Sequence, residues 1–91
     1  MDQLEIYRAQ IDVLDDLLVS LLAERFKITN KVGLLKKERN DYILDLDRFG
    51  NIVKRCRALA EEKGFDPEIM NNILLTIHNE STSVMRKQRE S

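Results

Sequence analysis

Apolar residues in this chain recur at spacings of three and four, the period of an α-helix, and only three glycines and one proline interrupt them. The longest stretch, Leu4, Tyr7, Ile11, Leu14, Leu18, Leu21, Ile28, Val32 and Leu35, alternates like a heptad seam and predicts a first helix from about Gln3 to Lys37. One beat of it is wrong. Between Leu21 and Ile28 the pattern asks for a hydrophobe and finds Arg25.

The polar, turn-prone run Glu38-Arg39-Asn40-Asp41 ends this pattern. A second helix follows from about Leu46 to Lys63 through Phe49, Ile52, Val53, Cys56 and Leu59, with Gly64 as its C-terminal cap. Asp66 then reads as an N-cap, with Pro67 at the first helical position and Glu68 facing the positive end of the helix dipole. The third helix turns Ile69, Ile73, Leu74, Ile77, Ser81 and Val84 inward, while the mostly polar Arg86 to Ser91 is expected to fray. The expected fold is all-α: three helices in a single domain over residues 1–91, led by a long first helix.

Length turns this pattern into a statement about assembly. A helix of 35 residues is ~52 Å long, whereas a compact chain of 91 residues has a radius of gyration near ~12 Å. The first helix overshoots its own globule, and its seam runs to both ends. The overhang needs a cover, and the expectation is an intertwined homodimer whose first helices lie along one another.

Composition removes several alternatives. A hydrophobic share of 43% beside a charged share of 34% fits a folded soluble chain, and no apolar run approaches the ~18–20 residues of a membrane span. The start Met-Asp-Gln-Leu-Glu has no signal-peptide character, so a cytoplasmic location is expected. One cysteine, Cys56, and one histidine, His78, assemble neither an internal disulfide nor a zinc-type ligand set, so no metal is expected. The net charge of −1, spread over both halves, gives no general attraction for nucleic acid or an anionic membrane. Any bound anion must be met by a few placed cations.

Candidates for that role stand out against the seam. Thr29, Val32 and Lys36 follow Arg25 by four, seven and eleven positions, so two cations share one helical stripe in apolar surroundings. Surface cations such as Lys37 ordinarily sit in water, but a cation in a seam costs several kcal/mol to desolvate unless an anion meets it. Arg8 lies seventeen residues before Arg25, ~25 Å along the axis, and cannot share a pocket with it in one chain. It is either a solvated arginine or one that enters a partner subunit's pocket. Asp45 and Arg48, three apart at the start of the second helix, orient each other or are a capping aspartate beside a surface arginine. His78, Ser81, Thr82 and Met85 form a polar-tinged patch on the third helix, and Cys56 reads as a small core hydrophobe. No glycine-rich phosphate loop or Ser/His/Asp set is present.

The run Leu14-Asp15, then Leu21-Leu22-Ala23-Glu24-Arg25, then Lys31-Val32-Gly33 to Lys36, then Asp45-Leu46-Asp47-Arg48 closely resembles the all-helical chorismate mutase family. The resemblance spans roughly Leu4 to Met85, including the Gly64 to Asp66 turn and Glu80-Ser81. It implies an intertwined three-helix homodimer with two equivalent sites, converting chorismate to prephenate without a cofactor. Arg25, Arg48 and the partner chain's Arg8 would bind the two substrate carboxylates. Lys36 would donate to the ether oxygen and a carboxylate, Asp45 would meet the ring hydroxyl, and Ser81 a carboxylate. Val32, Phe49, Ile52, His78, Thr82 and Met85 would wall the pocket.

The chain departs from the family at two positions: Phe49 stands where a glutamate is usual, and Met85 where a glutamine or glutamate is usual. The site is then a slow mutase, one rebuilt with His78 or Thr82, or one aimed at a related dicarboxylate. Within the enzyme class the rivals are a 4-amino-4-deoxychorismate mutase and an isochorismate pyruvate-lyase. Outside it stands a non-catalytic regulatory or scaffolding helical dimer, against which the joint presence of Arg8, Arg25, Lys36 and Arg48 argues.

Overall fold

A computed structural model describes residues 2–90. Three helices make up the chain: α1 (Gln3–Arg39), α2 (Leu46–Glu62) and α3 (Pro67–Glu90). Each begins where an aspartate satisfies an otherwise orphaned backbone donor. Asp2 accepts from the Glu5 amide at 3.0 Å, Asp45 from that of Arg48 at 3.0 Å, and Asp66 from that of Glu68 at 2.9 Å.

The ends of α1 and α2 are closed by the same device. After α1, Asn40 adopts a left-handed conformation (φ 58°), its N–H donating to the Lys37 carbonyl while Asp41 N–H donates to Lys36. After α2, Gly64 (φ 91°) donates to Glu61 and Phe65 to Ala60. These paired bonds are Schellman motifs, and they set the helix boundaries within two residues of the sequence expectation.

The molecule measures 57 × 27 × 14 Å with a radius of gyration of 16.7 Å, well above the ~12 Å of a compact chain of this length. Its long dimension is α1. Helix α3 packs against both other helices, which make no close backbone approach to each other. The core is correspondingly small: Leu74, Ile77 and Met85 of α3 are buried with Ala60 of α2, and Ser81 and Thr82 are buried beside them. Ile69 and Ile73, expected to face inward, remain about half exposed.

Every residue from 2 to 24 is exposed, the apolar Leu4, Tyr7, Ile11, Leu14, Leu18 and Leu21 among them. Ile6, Val13, Leu17 and Val19 are exposed as well, so this half of α1 is apolar around much of its circumference rather than along one stripe. No helix among the described residues is long and apolar enough to cross a membrane.

The polar C-terminal turn departs from the expectation of fraying, for α3 is helical through Glu90; Ser91 lies outside the described residues. Side chains tie it down. Gln88 Nε2 donates to the Asn30 carbonyl at 3.1 Å, Lys37 Nζ donates to the Gln88 carbonyl at 2.7 Å, and the Arg89 guanidinium donates to the Asp41 carbonyl. Gly33, the one buried residue of α1, lies against the Met85 and Gln88 side chains of α3.

Candidate active site

Where α1, α2 and α3 converge, they enclose a cavity of about 310 Å³, at the small end of the range for ligand pockets. Helix α1 supplies Arg25, Ile28, Thr29, Val32 and Lys36 over eleven residues of axis, ~16 Å at 1.5 Å per residue. Helix α3 supplies Leu74, His78, Ser81, Thr82 and Met85 over the same span. The opening of α2 closes the third side with Arg48, Phe49 and Ile52, joined by Asp45 and by Ile43 from the connecting loop.

All the residues expected to meet in one chain are therefore brought together: Arg25, Val32, Lys36, Asp45, Arg48, Phe49, Ile52, His78, Ser81, Thr82 and Met85. Arg8 is not among them. It lies exposed on the overhanging half of α1, ~25 Å along the axis from Arg25. Ile28, Ile43 and Leu74 also line the cavity and are not expected there from sequence. Ile28 fits the seam and Leu74 the core, and nothing in an isolated aliphatic side chain separates a cavity wall from a packed interior.

Three cations, Arg25, Lys36 and Arg48, thus share the cavity with one carboxylate, Asp45. That carboxylate is partly engaged, since its Oδ1 accepts from the Arg48 amide. The ion pairs among the described residues, Lys27–Glu24 and Arg57–Glu68, both lie outside the cavity. Half-buried Arg25 and exposed Arg48 consequently have no carboxylate partner among the described residues. Lys36 Nζ donates to the Ile43 carbonyl at 2.9 Å, which fixes the ammonium beside the loop and leaves donors to spare.

The neutral hydroxyls are turned inward on their own helices. Thr29 Oγ1 donates to the Arg25 carbonyl at 2.9 Å, Ser81 Oγ to Ile77 at 2.9 Å, and Thr82 Oγ1 to Asn79 at 3.1 Å. With its one proton used in this way, each hydroxyl can accept but not donate in this arrangement. The Phe49 and His78 rings stack across α2 and α3, with centroids 4.0 Å apart and planes at 21°.

Three cations line this small cavity, and two of them are planar guanidinium forks, a shape suited to carboxylates. The chain matches the family described as chorismate mutase type II over residues 7–86, and it belongs to that family. It is also similar to a bifunctional chorismate mutase/prephenate dehydratase from Buchnera aphidicola subsp. Acyrthosiphon pisum (strain APS). The two are 28% identical over 86 residues, which make up 94% of this chain and 22% of that protein. The chain therefore spans about a fifth of the length of the curated relative it matches.

Proposed function

We propose that this chain rearranges chorismate to prephenate, in aromatic amino-acid biosynthesis, as a homodimer in which the partner subunit's Arg8 completes each cavity. The observation that carries this reading is the convergence of Arg25, Lys36 and Arg48, without neutralising carboxylates beyond Asp45, on a cavity of small-molecule size. Chorismate is a dianion with two carboxylate-bearing arms. Its rearrangement is unimolecular and concerted: the ether C–O bond breaks as a C–C bond forms, so no nucleophile or proton donor need be consumed. The protein's work is to hold the arms in the folded reactive conformer and to stabilise negative charge growing on the ether oxygen. Arg25 and Arg48 serve the first need through bidentate carboxylate contacts. Lys36, anchored to the Ile43 carbonyl with donors remaining, serves the second.

The dimer rests on the exposed apolar half of α1 and on the small core. Four buried apolar side chains are few for a chain of this length, and a helix apolar around its circumference belongs in an interior. In a dimer with α1 helices crossing, the start of one reaches the middle of the other. The partner subunit's Arg8 then lies near the Arg25 end of the cavity.

Chorismate, isochorismate and 4-amino-4-deoxychorismate, incubated separately with the protein and followed by absorbance and product mass, test the activity. Prephenate from chorismate as the dominant reaction is expected. Pyruvate release from isochorismate, or turnover of the amino compound alone, would reassign the substrate; no reaction with any of them would leave a non-catalytic helical dimer. Sedimentation at micromolar concentration should give twice the chain mass, and a folded monomer there refutes the assembly.

A further inference from the structure

Among the polar side chains that line the cavity, His78 is distinct. The three cations are charged, Asp45 caps α2, and the hydroxyls of Thr29, Ser81 and Thr82 each donate to a carbonyl of their own helix. His78 has no hydrogen bond among the described residues and is held instead by its face, against Phe49. A stacked ring keeps its edge free, and both imidazole nitrogens lie in that edge. The side chain is half-buried at the cavity wall with its orientation set by the stack.

A neutral imidazole offers one N–H donor and one acceptor nitrogen, the same pair of functions as an alcohol. The surroundings add a charge criterion. On the mutase reading, Arg25, Lys36, Arg48 and the partner subunit's Arg8 outnumber Asp45 and the two substrate carboxylates by one charge, which disfavours an added ammonium group relative to an uncharged hydroxyl. We propose that His78, oriented by the stack on Phe49, contacts the ring hydroxyl of a cyclohexadienyl dicarboxylate and makes this site select a hydroxyl over an amine. This rests on the mutase reading, and it divides the labour within the stacked pair, since Phe49 positions the imidazole and His78 reads the substituent.

The test compares kcat and KM for chorismate and 4-amino-4-deoxychorismate in the wild type and in His78→Phe, which keeps a stacking face and deletes the nitrogens. Wild type should prefer chorismate. In His78→Phe, kcat/KM for chorismate should fall by about tenfold or more while that for the amino compound changes by less than about threefold, so the preference collapses. His78→Gln, which restores a donor and an acceptor, should recover part of it. Should His78→Phe not fold, as judged by circular dichroism, His78→Leu carries the same comparison.

An unchanged preference in the nitrogen-free variant, whether both activities hold or both fall together, assigns His78 to packing and overturns the proposal alone. A wild type that prefers the amino compound also overturns it. A wild type that rearranges neither compound overturns the mutase reading and this proposal together.

Discussion

Gly33 and Gly50 both occupy helix interiors, where alanine is ordinarily favoured by about 1 kcal/mol. Their surroundings predict opposite outcomes for the same substitution. A methyl group at Gly50 meets nothing within 4 Å, so Gly50→Ala should stabilise by about 0.5–1 kcal/mol. At Gly33 the new Cβ would overlap Gln88 Oε1 and stand 2.9 Å from Met85 Cγ. Swinging Gln88 aside gives up its bond to the Asn30 carbonyl, about 1 kcal/mol, and displacing buried Met85 costs about 1–3 kcal/mol. After the helix gain of about 1 kcal/mol is subtracted, Gly33→Ala should destabilise by about 1–3 kcal/mol.

Urea midpoints at unchanged m-value and one fixed protein concentration measure both variants, with Gly50→Ala as the internal reference for propensity. Because Met85 also lines the cavity, Gly33→Ala should lower turnover as well. If Gly33→Ala stabilises as much as Gly50→Ala, α3 yields freely and the close approach of the two helices is not a constraint.

Three further outcomes follow from the site. Arg8→Ala and Arg25→Ala should each abolish turnover alone, and an equal co-refolded mixture should regain about a quarter of wild type, since half the dimers carry one intact site; demonstrable heterodimers without recovery would refute the partner assignment. Asp45→Ala should cost about 1 kcal/mol through loss of the cap on the Arg48 amide, whereas Asp45→Asn should keep the cap, so any fall in kcat/KM in the asparagine variant reports contact with substrate. Met85→Gln adds an amide donor to the cavity wall and should raise kcat on chorismate by about fivefold, worth ~1 kcal/mol; lower turnover in steady-state assays would show that the apolar wall serves another purpose.

How much of this is legible in the chain differs by kind of signal. Helix boundaries are, because Asp45, Asp66, Pro67 and Gly64 act on backbone groups a few residues away, and such local chemistry is written locally. Arg25 is legible as a misplaced charge, and its spacing to Lys36 puts both on one wall. The C-terminal turn is not. Gln88 and Arg89 look like solvent residues, and their acceptors, the carbonyls of Asn30 and Asp41, are near only after α3 has docked. The same holds for Ile43, whose carbonyl positions Lys36 although its side chain has no pattern to belong to. The Phe49–His78 stack joins two helices, so the period of either one is silent about it.

The bond between Gln88 and Asn30 joins positions 58 residues apart, and those from Lys37 and Arg89 span 51 and 48. On a ribosome adding about 5–20 residues per second, the carbonyl of Asn30 waits roughly 3–12 s before its donor is even synthesised. During that interval α1 is already long enough to be helical, apolar on most sides, and without any cover from its own chain. The exposed apolar half of α1 is therefore synthesised before the α3 residues that fasten the two helices together. If two chains pair as proposed, the apolar half of α1 is open to a second copy throughout that interval, before its own cavity is closed.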